Sequence, residues 1–175
     1  MTYTPAVPVE SQTYRHYALN TVEIGLPLAS GTGAASLTWP LANLAIYVPL
    51  YINETLIVYE AGVGAGATAG GNYDIGIYDA AGTRLVSSGT TARTASAWNT
   101  AGLTDTTLTP GWYYVGMSAD GTNNYSGNNP AAGLCESVGI CEQTTAFTLP
   151  ATATLTRTTR AYVPAIALAT RSVAL

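Results

Sequence analysis

Residues 72–89 read NYDIGIYDAAGTRLVSSG, and the first half alternates before the chain turns. Tyr73, Ile75 and Ile77 fall on one face of an extended segment and Asp74, Gly76 and Tyr78 on the other, which is the two-residue period of a half-buried strand. Ala80, Ala81 and Gly82 supply the small residues of a tight turn, and Thr83–Gly89 returns as a second strand, so the stretch predicts a β-hairpin. A helix would instead place apolar residues three and four apart behind a capping residue, and no stretch of the chain sustains that period.

The text on either side repeats the same signals. Leu44–Tyr51 and Thr55–Val63 are rich in β-branched and aromatic residues and are separated by a turn at Asn53-Glu54. Leu103–Pro110 runs into the aromatic segment Gly111–Asp120 through Pro110-Gly111. Phe147–Leu149, Ala153–Arg157 and Ala161–Thr170 supply the last strands. The polar stretch 90–102 and the Asn-, Gly- and Pro-rich stretch 122–133 read as loops, and 134–143 has room for a single helical turn. About eight short strands at this spacing predict an all-β fold, an antiparallel two-sheet β-sandwich of jelly-roll type. Residues 1–35 differ: Pro5, Pro8 and Pro27 break helices and interior strands alike, so this part reads as an extended N-terminal arm with one short strand at Thr21–Leu26. The division is thus 1–35 arm and 36–175 sandwich.

Charge narrows the function. Charged residues make up 9% of the chain, against about 25% in ordinary soluble domains, and all six cations are arginine. Surface charge keeps molecules apart, so a chain this poor in it is expected to cover its surface with other subunits, as a homo-oligomer such as a trimer. A net charge of −4 with scattered arginines offers no basic face for nucleic acid. No apolar run approaches the roughly 20 residues that span a bilayer, and the N-terminus shows no basic start followed by an apolar core, so no membrane span or signal peptide is expected.

One stretch looks like cofactor chemistry. Gly64-Ala65-Gly66-Ala67-Thr68-Ala69 matches a form of the dinucleotide fingerprint. That site requires a helix directly after the glycines, whose amide groups face the pyrophosphate. Here Gly70 and Gly71 lead straight into the alternating strand, so the stretch reads as a small-residue connection that lets a neighbouring backbone approach, and no cofactor is expected.

The other candidates are equally spare. His16 is the only histidine and lies in the arm, so a triad has no base beside it, and the scattered carboxylates stand in no paired motif. The chain reads as a non-enzyme. Asp120–Asn129 offers oxygen ligands without the calcium-loop pattern and reads as an asparagine-rich turn. Cys135 and Cys141 lack further ligands for zinc, and either form a short disulfide ring or remain two semi-buried thiols. Tyr3, Tyr14, His16 and Tyr17 are the arm's candidate contacts with partner subunits. Trp98, with Asn123, Asn124 and Tyr125, is a candidate glycan contact, against which stands packing in a loop or an interface. Trp112, Tyr113 and Tyr114 open a strand and are expected to face the core on one side.

DIGIYDAAGTRLVSSG (74–89) and TLTPGWYYVGMSAD (107–120) resemble a hairpin and a strand of small β-sandwich modules in virion proteins of tailed bacteriophages, among them tail-tip, fibre-associated and capsid-decorating proteins. The resemblance covers roughly residues 40–120; similar hairpins occur in carbohydrate-binding modules, and the arm lies outside the shared pattern. It implies a non-enzymatic virion structural protein made in the host cytoplasm, a capsid decoration or cement protein contacting major capsid or tail subunits. The alternative is a carbohydrate- or receptor-binding module of a tail or fibre that contacts surface glycans.

Overall fold

The computed structural model describes residues 15–19 and 35–172. Fourteen strands and one short helix follow in chain order: β1 (Arg15–Leu19), β2 (Ala35–Thr38), β3 (Leu44–Ile52), β4 (Leu56–Gly64), β5 (Asn72–Asp79), β6 (Arg84–Ser87), β7 (Thr91–Ala92), β8 (Trp98–Leu108), β9 (Gly111–Ala119), β10 (Asn124–Asn128), α1 (Ala132–Ser137), β11 (Cys141–Gln143), β12 (Thr156–Arg157), β13 (Val163–Pro164) and β14 (Ile166–Ser172). Every strand pairing among the described residues is antiparallel. The larger sheet runs β12-β11-β3-β9-β5-β6, with β7 on β5; the second runs β1-β14-β4-β8, and β13-β10-β2 form a small third sheet. The chain is an all-β sandwich.

β3 shows how the sequence builds it. Leu44, Ile46, Val48, Leu50 and Ile52 point into the main core, where they meet Leu56, Val58, Ala61 and Val63 of β4 and Val115 and Met117 of β9. The intervening Ala45 and Tyr47 point to the opposite face, into a second cluster with Tyr78, Cys141, Ala146 and Leu149. Register between β3 and β9 is unbroken from Leu44↔Ala119 to Ile52↔Gly111, so a one-residue slip would exchange the two faces and is strongly disfavoured.

The hairpin expected at 72–89 forms, with Gly76↔Ser87 and Ile77↔Val86 in register and a bulge before Tyr78↔Arg84. Its strand is covered on both faces where a half-buried one was expected. The cover is the segment that follows β11, which crosses the outer face of the larger sheet. Leu149 N–H donates to Asp74 Oδ2 (3.0 Å), Tyr78 O–H donates to the Pro150 carbonyl (2.8 Å), and the Arg84 guanidinium donates to the Leu149 carbonyl. Burying the Leu149 side chain contributes about 1.5–3 kcal/mol. Phe147–Leu149, expected as a strand, is therefore an irregular strap whose backbone groups bond to side chains of the sheet below. Tyr47 lies under the same strap, donates to Gln143 Oε1 (3.2 Å), and has its hydroxyl pushed up to about 12 mainly by burial.

Other boundaries move as well. Residues 98–102, expected in a polar loop, begin β8, and 124–128, expected in a turn-rich loop, form β10. In both places Asn, Thr and Gly occupy strand positions because a neighbour pairs with them: β4 pairs with β8, and β2 and β13 pair with β10. The strand expected at Thr21–Leu26 lies outside the described residues. Within the segment read as the arm, β1 adds to the edge of β14, from Arg15↔Thr170 to Leu19↔Ile166.

Asp74 is fully buried, and burial lifts its carboxyl above the ordinary carboxylate range against the opposing pull of Leu149 N–H, the Ser88 hydroxyl and the Arg84 charge. A carboxyl that binds its proton more tightly when folded loses stability as pH rises from its unfolded value through its folded one, and regains it on acidification. The wild-type chain should therefore gain stability relative to Asp74→Asn as pH falls from 7 to 4. Guanidinium unfolding midpoints of both chains at the two pH values measure this, and a difference independent of pH would contradict it.

Candidate functional site

The glycine stretch 62–71 is where the sequence most suggested chemistry, and the structure gives it a different occupant. β4 carries it as far as Gly64, and the chain then loops outward, reaching Gly70 and Gly71 at φ +81° and +82°, a left-handed conformation natural to glycine. The loop closes on the side chain of Arg93, which is 6% exposed. One guanidinium nitrogen donates to the carbonyls of Gly66 and Asn124, both at 2.7 Å; the other donates to the carbonyls of Thr68 and Gly70. The Tyr125 ring lies 5.1 Å from the guanidinium carbon. A phosphate loop turns its N–H groups inward to meet an anion. This loop turns alternate C=O groups inward to meet a cation that the chain itself supplies.

The asparagine-rich stretch fastens the same loop. Asn123 Nδ2 donates to the Gly70 carbonyl (2.8 Å), and Asp120 accepts from Asn72 N–H (2.9 Å) and Asn72 Nδ2 (2.7 Å). Asn124 Oδ1 accepts from the Thr38 hydroxyl (3.0 Å). Tyr125 is fully buried, edge-on to Trp39 at 5.6 Å between ring centroids. Of the candidate glycan contacts, Tyr125 is therefore a core residue with no surface to offer, because the alternation of β10 turns it inward. Asn123 and Asn124 are already bonded within the fold, which leaves Trp98.

Trp98 opens β8 and is 52% exposed. Its indole lies across Gly62 and Gly64 on the outer face of the four-stranded sheet: a Cβ placed on Gly62 would come within 2.7 Å of the indole nitrogen. Glycine in the strand thus makes a flat seat for the ring, with one indole face packed and the other open.

A second aromatic surface lies on the outer face of the larger sheet, and sequence reasoning missed it. Tyr51 and Trp112 are cross-strand partners, 53% and 60% exposed, with ring centroids 5.2 Å apart and planes at 57°. Tyr113 packs against the main core and donates to the Thr109 carbonyl (2.9 Å), so Trp112, one residue earlier, must face outward. Strict alternation backward from Val115 was the available signal.

The remaining candidates fall as follows. Tyr3 and Tyr14 lie outside the described residues; His16 and Tyr17 lie on β1, paired with Ala169 and Leu168. Both cysteines are free and buried: Cys135, on α1, sits in the main core and Cys141 in the cluster under the strap, so the fold does not join them. Several of the carboxylates are engaged within the fold. Asp79 accepts from Ala81 and Thr83 N–H in the hairpin turn, Asp105 pairs with Arg171, and Glu142 pairs with Arg160 at 3.1 Å. Among the described residues no three of His, Cys, Asp and Glu gather to hold a metal ion, and no helix is long and apolar enough to cross a membrane. A shallow cleft of about 380 Å³ between Leu37, Pro40, Asn129 and Arg160 is mostly apolar in lining.

Arg93→Ala removes the guanidinium donors from four carbonyls, of which Gly66, Gly70 and Asn124 keep a second donor, and Arg93→Lys fares little better because a point charge cannot serve carbonyls on both sides of a planar fork. Each substitution should cost on the order of 3 kcal/mol, a fall in Tm of roughly 6–12 °C for a domain of this size. Thermal unfolding followed by circular dichroism measures it, and an unchanged midpoint would show that the loop does not depend on the guanidinium.

The chain matches no protein-family model, no curated protein and no solved structure.

Proposed function

We propose that this chain is a non-enzymatic structural protein of a bacteriophage virion, a capsid decoration or cement module that holds neighbouring subunits together. The observation that carries the reading is the surface itself: Tyr51, Trp98 and Trp112 are half-exposed or more on both outer faces of the sandwich, in a chain with 9% charged residues and no lysine. Large aromatics supply most of the energy of protein interfaces, and a surface with this little charge gives little protection against association. The resemblance of residues 74–89 and 107–120 to virion modules supports the setting, and β1 on the β14 edge supports a role for the N-terminal segment. Partners on this reading are major capsid or tail subunits and further copies of the chain. Removing residues 1–20 should abolish incorporation into particles, as read by the protein content of purified virions. Incorporation at the full-length level would overturn the reading.

A second reading, a glycan-binding tail or fibre module, is favoured by one observation, the open indole face of Trp98 on its glycine seat. An indole held flat in this way matches the apolar face of a sugar ring. Binding on a glycan array that disappears in Trp98→Ala would establish it, and an array with no binding would remove it.

A further inference from the structure

We infer that the Tyr51–Trp112 pair is the docking site for the chain's own proline-rich segment, Tyr3–Val9; the inference deepens the assembly reading above by naming the surface that receives the N-terminal segment. The receiving surface is two exposed rings, tilted at 57° and 5.2 Å apart, standing beside Pro49 and Tyr114 on adjoining strands. Tilted aromatic rings form the shallow troughs into which proline-rich peptides fit, since proline packs flat and its fixed φ leaves little entropy to lose. The chain contains a matching segment, TYTPAVPV at residues 2–9, with Pro5 and Pro8 in P-x-x-P spacing and no charged residue.

Topology brings the two to the same end of the molecule. Arg15 pairs with Thr170, Thr170 with Val58, and Val58 with Thr106, so the chain enters β1 at the end of the sandwich where β4 begins and β8 finishes. Tyr51 and Trp112 lie at that end too, beside the β3–β4 turn and just after the Thr109-Pro110 connection from β8 to β9. Sheets about 10 Å apart and strands about 4.8 Å apart put the trough on the order of 20 Å from Arg15. Seven residues of chain span at most about 23–25 Å, so Pro8 can lie within reach of a trough on its own molecule or on one packed alongside.

The test uses the full-length chain and its indole N–H resonances, with Trp112 assigned through Trp112→Phe. Pro5→Ala/Pro8→Ala should shift the Trp112 resonance and leave that of buried Trp39 in place. Light scattering on the same samples identifies the molecule that supplies the segment: a fall in mass with the proline change places it on a neighbouring copy, and an unchanged mass on its own chain, either result supporting the docking. A Trp112 resonance unmoved by the proline changes overturns the inference, as does one that moves only when an oligosaccharide is added. An unmoved resonance in a chain that still enters particles through residues 1–20 defeats the docking and leaves the assembly reading standing. A shifted resonance in a chain that enters particles without residues 1–20 does the reverse.

Discussion

The larger sheet has to be covered on two sides, and most of the molecule follows from how that is done. Its inner face is covered by β14, β4 and β8 together with the small third sheet and α1, giving one contiguous apolar core. Its outer face carries Tyr47, Asp74, Gly76 and Tyr78, which are too polar to be packed by another regular sheet. An irregular strap suits them better, because it brings its own backbone donors and acceptors to that face. The strap reaches only part of the face. Beyond it β3 and β9 continue, and the same alternation that buries Tyr47 leaves Tyr51 bare beside Trp112.

The glycine loop shows how chemistry can be inverted while composition stays the same. Small residues allow a backbone to curl closely around an ion, and the sign of that ion depends on which backbone group turns inward. A helix after the glycines would have presented N–H groups; a strand after them, with an arginine arriving from the connection after β7, makes carbonyls the natural lining. A chain with six cations in all places one of them here, which marks the position as structural in a protein otherwise sparing of charge.

Regular strands with apolar alternation, such as 44–52 and 72–79, were legible because burial itself writes the two-residue period. The all-β class and the hairpin were readable for the same reason. β8 at 98–102 and β10 were not, since Asn, Thr and Gly there are recruited by neighbours and have no strand preference of their own. The strap was misread because Phe147-Thr148-Leu149 is apolar for the sake of one buried leucine. In the candidate site, Trp98 could be singled out as an aromatic in polar surroundings, whereas Tyr125 could not be told from an exposed tyrosine without its register. Arg93 was invisible, because its four acceptors are carbonyls, and a carbonyl leaves no trace in side-chain identity.

The two thiols, separated by six positions in the chain and by a sheet in the fold, give the molecule a pair of internal clocks. Cys141 becomes reachable when the strap lifts, and Cys135 only when the main core opens around α1. Labelling rates at the two sulfurs therefore separate a local breathing of the outer layer from global unfolding, with no probe added to the chain.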